Sequence, residues 1–207
     1  MDLSDILGNK ESEDKIAYST GVVMAQSLQD IGFNEMDFDD FLKGFKAKFK
    51  NEILKIPQKK NIEIFNNYVE IIKEEQKERN LEISKQFLKE NSEKGNVVTL
   101  KSGLQYKVLV QGEGELPQLE DKVKVLYEGY LMNRNVFDTT KDTGPLSFYL
   151  SQTILGWQEV LLLMPIGSRW EITIPPHLAY GENGAAPMIE PNAAIVYIIE
   201  LLEIEKE

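Results

Sequence analysis

A long stretch without glycine or proline runs from Gln58 to Lys94, and its length limits how the rest of the chain can be arranged. Pro57 precedes it and Gly95 follows it. Proline suits the first turn of a helix and glycine readily ends one, so the two residues predict the limits of a single helix. Such a helix would be about 55 Å long at the usual rise of roughly 1.5 Å per residue. The chain is therefore predicted to have one part before this helix and another after it.

The two halves of this predicted helix differ in polarity. The apolar residues on one side of its first half are Ile62, Phe65, Val69 and Ile72. The segment from Lys73 to Asn80 has no apolar face, as is typical of a helix that bridges domains through solvent. The only later apolar anchors predicted are Leu81, Phe87 and Leu88. A disordered charged linker is the alternative, but good helix formers dominate the segment.

Two shorter amphipathic helices are predicted before the long one. The first runs from Asp14 to Ile31 and ends at Gly32, and the second is capped by Asp37. The apolar stripe of the second helix, at helical spacing, is Phe38, Phe41, Leu42, Phe45 and Phe49. Four phenylalanines on so short a helix need a large partner surface, which is either the next helix or a second copy of the chain.

Charge and composition exclude several classes of function. The net charge is −11, and no cluster of Lys and Arg with interleaved aromatic residues is present, so we expect no nucleic-acid partner. Cysteine is absent and His177 is the single histidine, so we expect neither a metal site nor a cofactor. His177 follows two prolines and is predicted to be a turn residue at the end of a strand rather than a catalyst, with no obvious partner.

Residues 1–12 lack both the basic and the continuous apolar region of a signal peptide. The sequence as it stands predicts a cytoplasmic protein without membrane insertion. A periplasmic or surface location is expected instead if a signal peptide has been removed.

The composition changes after Gly95 to β-branched residues separated by turn residues. Two-residue alternation predicts strands at Val123–Tyr130, Leu146–Leu150 and Arg169–Ile174. Flanking turn residues predict another at Leu104–Val110, and a nearly continuous apolar run predicts the last at Ala194–Leu202. A short helix is predicted from Ile154 to Leu163, before Pro165 and Gly167. We therefore predict an α+β chain with an N-terminal helical domain at 1–56, a linker helix at 57–95 and an antiparallel sheet packed on one short helix at 96–207.

The segment from Phe137 to Trp157 combines chemically distinct side chains at a predicted corner between a strand and a helix. It contains the aromatic Phe137, the carboxylate of Asp138 and the indole of Trp157. No nucleophile with a base, metal cluster or phosphate-binding loop accompanies them. Taken alone, the segment also fits a core Phe and Trp beside a turn Asp.

Residues 100–204 resemble the FK506-binding-protein (FKBP) type of peptidyl-prolyl cis-trans isomerase. The matching segments, in the family's order and spacing, are Val125–Gly129, Val136–Asp138, Gly144–Phe148, Ile154–Trp157, Met164–Ser168, Ile174–Pro176, Leu178–Gly181, Ile189–Asn192 and Val196–Leu201. The segment Asp14–Gly21 more loosely resembles the dimerisation domain of the bacterial macrophage-infectivity-potentiator-like branch.

The resemblance implies an enzyme that rotates Xaa-Pro bonds in unfolded or partly folded proteins and assists folding as a V-shaped homodimer joined by its N-terminal helices. It implies chaperone-like behaviour and inhibition by the macrolides FK506 and rapamycin. Relatives with this helical extension are often exported to the periplasm or cell surface. The alternative is a holdase or structural dimer with a vestigial pocket.

The resemblance also implies residue roles. Trp157 would form the floor under the proline ring, and the walls would be Tyr127, Phe137, Ile154 and Tyr197. Asp138 would face the twisted carbonyl carbon, while the Tyr180 hydroxyl and the Ile154 N–H would bind substrate backbone.

The implied catalytic set is Tyr127, Phe137, Asp138, Trp157 and Tyr180, with Leu146, Ile154, Ile189 and Tyr197 added for substrate or inhibitor binding. Three positions depart from the best-known family pattern. Leu146 and Tyr197 each stand where a Phe is common, and Ala185 stands where the loop often has an aromatic residue or His. These departures bear on substrate preference and drug affinity.

Overall fold

The computed structural model describes residues 10–205, with side chains from Asp14 onward. The chain forms two compact units that divide between Glu75 and Gln76. This division lies inside the predicted linker helix, and the predicted domain limits at 1–56, 57–95 and 96–207 stay a prediction. Most of the segment assessed for a signal peptide lies outside the described residues. Within residues 10–205, no helix combines the length and apolar character that a membrane span requires.

The first unit begins with the two predicted amphipathic helices, α1 (Lys10–Ile31) and α2 (Phe38–Phe49). Gly32 ends α1 with a φ of 107°, a left-handed conformation that glycine adopts without strain. The Asp37 carboxylate caps α2 by accepting hydrogen bonds from the N–H groups of Asp39 and Asp40. Both predicted helix boundaries are therefore confirmed.

The apolar side chains of the first unit are only partly covered. Phe33 packs on Phe65 and Tyr68, with ring centroids 5.7 and 5.1 Å apart. In contrast, α2 has no buried residue, and Phe38 and Phe49 are 70% and 78% exposed. A groove between α1 and α2 has a volume of about 430 Å³ and an almost wholly apolar lining. A single chain thus leaves much of this predicted stripe in contact with water.

The long helix, α3, runs from Gln58 to Ser92. Pro57 stands at its start, where the Pro57 carbonyl oxygen accepts hydrogen bonds from Lys60 and Asn61. The helix ends two residues before the predicted limit, since the Lys94 N–H turns back to the Asn91 carbonyl. A continuous helix rather than a disordered linker is therefore confirmed.

The prediction that apolar residues alone anchor the second half of α3 is wrong. Asn80, Ser84 and Asn91 are buried on this half and form hydrogen bonds within the second unit. The sequence did not indicate them because small polar side chains on a charged helix look like part of its solvent face.

The second unit is built on one antiparallel sheet, as predicted. Its strands are β1 (Val98–Thr99), β2 (Gln105–Val110), β3 (Lys122–Leu131), β4 (Val136–Thr139), β5 (Leu146–Tyr149), β6 (Arg169–Ile174) and β7 (Ile195–Glu205). The strand order is β1-β2-β6-β7-β3-β4, and β5 also pairs with β3. β4 and β5 pair with successive parts of β3, which brings the predicted site segments onto one edge.

The predicted short helix, α4 (Leu155–Leu161), packs on one face of this sheet. Trp157, Val160 and Leu161 point into the core from α4. Gly156 allows close approach, because a Cβ there would lie 2.5 Å from Ile174 Cγ2. The core of the second unit is formed by this helix against strands β3, β6 and β7.

Candidate active site

Trp157 lies at the base of the candidate site and is 6% exposed. It is held at the start of α4, where the Ile154 carbonyl accepts hydrogen bonds from the Trp157 and Gln158 N–H groups at 2.9 and 3.1 Å. Its indole Nε1 is buried and has no hydrogen-bond partner in the structure. The short helix thus presents the indole as an apolar surface.

Three rings pack on this indole and a fourth packs on one of them, and the five residues together form the aromatic cluster: Tyr127, Phe137, Phe148, Trp157 and Tyr197. The centroid of Trp157 lies 5.1 Å from Tyr127, 5.0 Å from Tyr197 and 5.4 Å from Phe148. Phe137 packs edge-to-face on Tyr197 at 5.4 Å. Edge-to-face packing at such distances is favourable for aromatic rings and fixes their relative orientation. The structure therefore brings the predicted floor and three of the predicted walls together. It adds Phe148, which was not among the predicted site residues.

Gly129 makes the close packing of two of these rings possible. It lies opposite Asp138 on β4 and Tyr197 on β7. A Cβ at this position would stand 2.7 Å from Tyr197 Cε1 and 2.8 Å from Phe137 Cζ. Family resemblance implies no role for Gly129, although a glycine inside a strand is a known sign of close approach.

The Tyr127 hydroxyl donates a hydrogen bond to Asp138 Oδ2 at 2.7 Å. Burial raises the pKa of Tyr127 above its ordinary value, and the hydrogen bond and the negative charge of Asp138 raise this pKa further. The phenol therefore stays protonated at neutral pH and continues to donate. This bond, absent from the sequence-based expectations, orients an otherwise exposed carboxylate beside the aromatic cluster.

Tyr180, at the start of the loop after β6, is the next predicted site residue. The pKa of Tyr197 is raised by burial, by its interaction with the neighbouring Tyr180 and by the negative charge of Asp138. Tyr180 is half-buried and packs against the core. The hydroxyl that distinguishes Tyr197 from Phe thus faces Tyr180 and gives this edge of the site additional polarity.

The remaining predicted residues have different surroundings. Ile154 is half-buried at the start of α4, and Ile189 is buried in the core with 4% exposure. Ala185, the third departure from the family pattern, forms an antiparallel bridge with Ile189. Leu146 is 48% exposed, and none of the described contacts joins it to the aromatic cluster. The structure therefore groups most of the predicted site but leaves Leu146 outside the packed cluster.

His177 lies in the turn after β6, as predicted, and has a partner that the sequence did not indicate. Its Nε2 lies 3.0 Å from the Ser102 carbonyl oxygen, to which it donates. This contact joins the turn after β6 to the turn before β2, which indicates a structural role. Among the described residues, no group of three or more His, Asp or Glu side chains is arranged to hold a metal ion.

The chemistry available at the aromatic cluster is therefore non-covalent. It offers an apolar surface bordered by the carboxylate of Asp138 and the hydroxyls of Tyr127 and Tyr180. The cluster contains neither a thiol nor a hydroxyl with an adjacent imidazole base. Such a site suits the binding and distortion of a substrate in a dry environment.

Two family models match consecutive parts of the chain. Residues 113–202 match the model described as FKBP-type peptidyl-prolyl cis-trans isomerase. Residues 13–108 match the model described as the domain amino terminal to FKBP-type peptidyl-prolyl isomerase.

Individual proteins agree over the full length. The chain is 37% identical to the peptidyl-prolyl cis-trans isomerase Mip of Coxiella burnetii, over 96% of this chain and 89% of that protein. It is 32% identical to the outer membrane protein MIP of Legionella longbeachae, over 100% and 91% of the two chains. The crystal structure of FkpA from Escherichia coli matches with a TM-score of 0.77 and 30% identity, covering 96% of this chain and 98% of that one.

Proposed function

The chain belongs to the family of FKBP-type peptidyl-prolyl cis-trans isomerases, and we propose that the aromatic cluster is the site at which it rotates Xaa-Pro bonds. The protein is an isomerase of proline-containing substrates. The alternative of a holdase or structural dimer with a vestigial pocket is not favoured. The packing of three rings on Trp157, beside the Asp138 carboxylate, is the observation that supports this site.

The physical task of such a site is to lower a rotational barrier. Rotation about a peptide bond faces a barrier of about 18–20 kcal/mol because amide resonance is lost. The planar amide has the larger charge separation, so it loses more hydration free energy than the twisted amide when both are transferred from water into the site. An apolar pocket therefore binds the transition state better than the ground state, with no proton transfer or covalent intermediate.

We propose the individual roles that the family resemblance implies, and the geometry of the aromatic cluster supports them. Trp157 supports the proline ring, with Tyr127, Phe137, Ile154 and Tyr197 around it. Asp138 faces the carbonyl carbon of the twisted amide, held in orientation by the Tyr127 hydroxyl. Tyr180 and the Ile154 N–H bind the substrate backbone, and Ile189, in the loop after Tyr180, contributes to substrate or inhibitor binding. Leu146 is assigned to the outer edge of the substrate site, because it is exposed.

The role of Asp138 can be tested with a protease-coupled assay on a short Xaa-Pro peptide. Asp138→Ala should lower kcat/KM by about tenfold, equivalent to about 1.4 kcal/mol of transition-state stabilisation. Asp142→Ala is the matched control, since Asp142 is an exposed carboxylate in the next turn. Equal rates for the two variants would refute this assignment.

Macrolides such as FK506 and rapamycin are proposed to bind the aromatic cluster in place of the proline substrate. The apolar floor and walls support this proposal. The Tyr197 hydroxyl and the exposed Leu146 should alter affinity relative to family members with Phe at these positions. Binding can be followed by Trp157 fluorescence in a Trp170→Phe background, because Trp157 is then the only tryptophan that contributes to the signal. No saturable change at micromolar drug would exclude binding at this site.

The first unit is proposed to pair with a second copy of the chain through the groove between α1 and α2. The exposed rings of Phe38, Phe45 and Phe49 support this proposal, as does the match to the domain amino terminal to FKBP-type isomerases. Two linked sites would increase the effective concentration for a client with several prolines. We further propose a periplasmic or surface location, supported by the name of the Legionella relative.

A further inference from the structure

The loop after Tyr180 is closed at its base by one backbone hydrogen bond. The N–H of Asn192 donates to the Gly181 carbonyl at 2.8 Å, and we call residues 181–192 the flap loop and these two residues its neck. Gly181 directly follows Tyr180, so the neck fixes the backbone beside this side chain. Further out, Ala185 and Ile189 exchange backbone hydrogen bonds. The position of Tyr180 thus depends on the position of the neck.

The neck is attached to α3 through buried polar groups of the second unit. The Ser84 hydroxyl donates to the Asn192 carbonyl at 2.8 Å and accepts from the Ala194 N–H at 2.8 Å. Asn80 Nδ2 donates to the Pro191 carbonyl at 2.9 Å, and Asn192 Nδ2 donates to the Lys77 carbonyl at 3.2 Å. Ser84 has 0% exposure, so water cannot replace its bonds in the folded protein.

Apolar side chains would be sufficient to attach a helix to a sheet, whereas these bonds also fix direction and register. A buried carbonyl or N–H that lost its partner would carry a substantial desolvation cost, so the arrangement strongly restricts where the neck can lie. Asn192 has a φ of 54°, a left-handed conformation that directs its side chain and carbonyl to α3. The flap loop is therefore held on its helix side by groups with no part in forming the aromatic cluster.

We propose that Ser84, Asn80 and Asn192 are positioning residues for catalysis, which act by holding the neck so that Tyr180 faces the substrate. The second half of α3 is then a functional part of the catalytic unit. This inference rests on the proposed role of Tyr180. Simple attachment of the helix is the competing explanation.

Asn91 provides a matched control for that explanation. It is also buried on α3, with 5% exposure, but it donates to Gln105 and Thr173 on β2 and β6. None of its described bonds reaches the flap loop. Loss of either Asn91 or Ser84 should weaken helix attachment, while only loss of Ser84 should disturb the neck.

The test uses full-length variants assayed on a short Xaa-Pro peptide at a temperature where circular dichroism shows each to be folded. Ser84→Ala should lower kcat/KM by about fivefold, equivalent to about 1 kcal/mol, while Asn91→Ala changes it less than about twofold. Ser84→Thr keeps the hydroxyl and should retain more activity than Ser84→Ala. If Ser84→Ala does not fold, Asn192→Gly can replace it. This variant removes the side-chain bond to the Lys77 carbonyl without straining the backbone, and it should also lower kcat/KM.

A double-mutant cycle identifies the residue through which Ser84 acts. In a Tyr180→Phe background, the effect of Ser84→Ala should shrink, because the hydroxyl that it positions is already absent. An undiminished effect in that background, or an equal loss in Asn91→Ala, would overturn the inference. The inference would also be overturned if Ser84→Ala had wild-type activity while Tyr180→Phe had reduced activity. Unchanged activity in Tyr180→Phe itself would overturn the role of Tyr180 and, with it, the inference.

Discussion

The two compact units differ in how completely a single chain covers their apolar side chains. In the second unit, residues such as Val123, Ile172 and Leu201 have no exposed surface. Among the described residues of the first unit, Ile72 is the only buried apolar side chain. Burying one more large apolar side chain contributes about 1.5–3 kcal/mol, so the first unit gains from association while the second does not need it. This difference is what the proposed pairing of the first unit with a second copy would explain.

Removing the floor of the site should cause the largest loss in the second unit. Trp157→Ala should destabilise the protein by about 3–5 kcal/mol because it leaves a cavity in a dense core, and it should abolish most peptide isomerisation. Denaturant unfolding and the peptide assay measure the two effects. Trp170→Ala is the control, since Trp170 is equally buried but packs on Tyr106 away from the cluster. Substantial peptide activity in folded Trp157→Ala would contradict the assignment.

The second-largest effect should appear when the chain is cut within or after α3. A fragment from Gln76 keeps Asn80, Ser84 and Asn91, whereas a fragment from Asn96 loses all three. Each lost hydrogen bond removes about 0.5–1.5 kcal/mol net, so the shorter fragment should be several kcal/mol less stable. Urea unfolding of the two fragments tests this. Equal midpoints would show that α3 contributes nothing to the second unit.

The polar residues that attach α3 to the second unit could not be predicted from the sequence, unlike the helices and strands. The absence of glycine and proline predicted α3, and Asp37 predicted the start of α2. Two-residue alternation predicted several strands and a continuous apolar run predicted the last one, because these are local signals. The contact between Ser84 and Asn192 joins distant residues through one hydroxyl, and no local pattern marks it.

The candidate site was predictable in composition but less so in geometry. The order and spacing of its motifs identified Trp157, Asp138 and Tyr180 through family resemblance. Phe148, the bond from Tyr127 to Asp138 and the space provided by Gly129 depend on how strands pair. The exposure of Leu146 likewise follows from its place on β5, which pairs with β3 at an edge of the sheet.

A charge placed in the groove of the first unit should impair the refolding of protein substrates and leave short-peptide isomerisation intact. Its effect on stability should be smaller than the effects above. Phe45→Asp should leave short-peptide activity within about twofold, since the second unit packs its own core, but should slow the refolding of a proline-limited protein if two linked sites act together. Lys43→Asp is the control, because Lys43 is exposed on the same helix and pairs with Asp40. Equal refolding activity in Phe45→Asp and the control would contradict a role for the groove.

The smallest predicted effect concerns pH. The pKa values of Tyr127 and Tyr197 are raised in the folded state, so their contribution to stability is complete below the unfolded value of about 10 and declines as pH rises above it. Both hydroxyls should remain protonated in the folded protein when ordinary tyrosines ionise. Difference absorbance of phenolate in wild type, Tyr127→Phe and Tyr197→Phe measures this. Ionisation of either residue near pH 10 in the folded protein would refute the proposed burial and hydrogen bonding.

The contrast between the two units is tested most directly by the molar mass of the full-length chain in solution. One chain has a mass of 23.7 kDa. Multi-angle light scattering should give about twice the chain mass for the full-length protein, because a second copy covers the apolar groove. The fragment from Gln76 should give the mass of one fragment, because it lacks this groove. A full-length protein that stays at 23.7 kDa across micromolar concentrations would contradict the account.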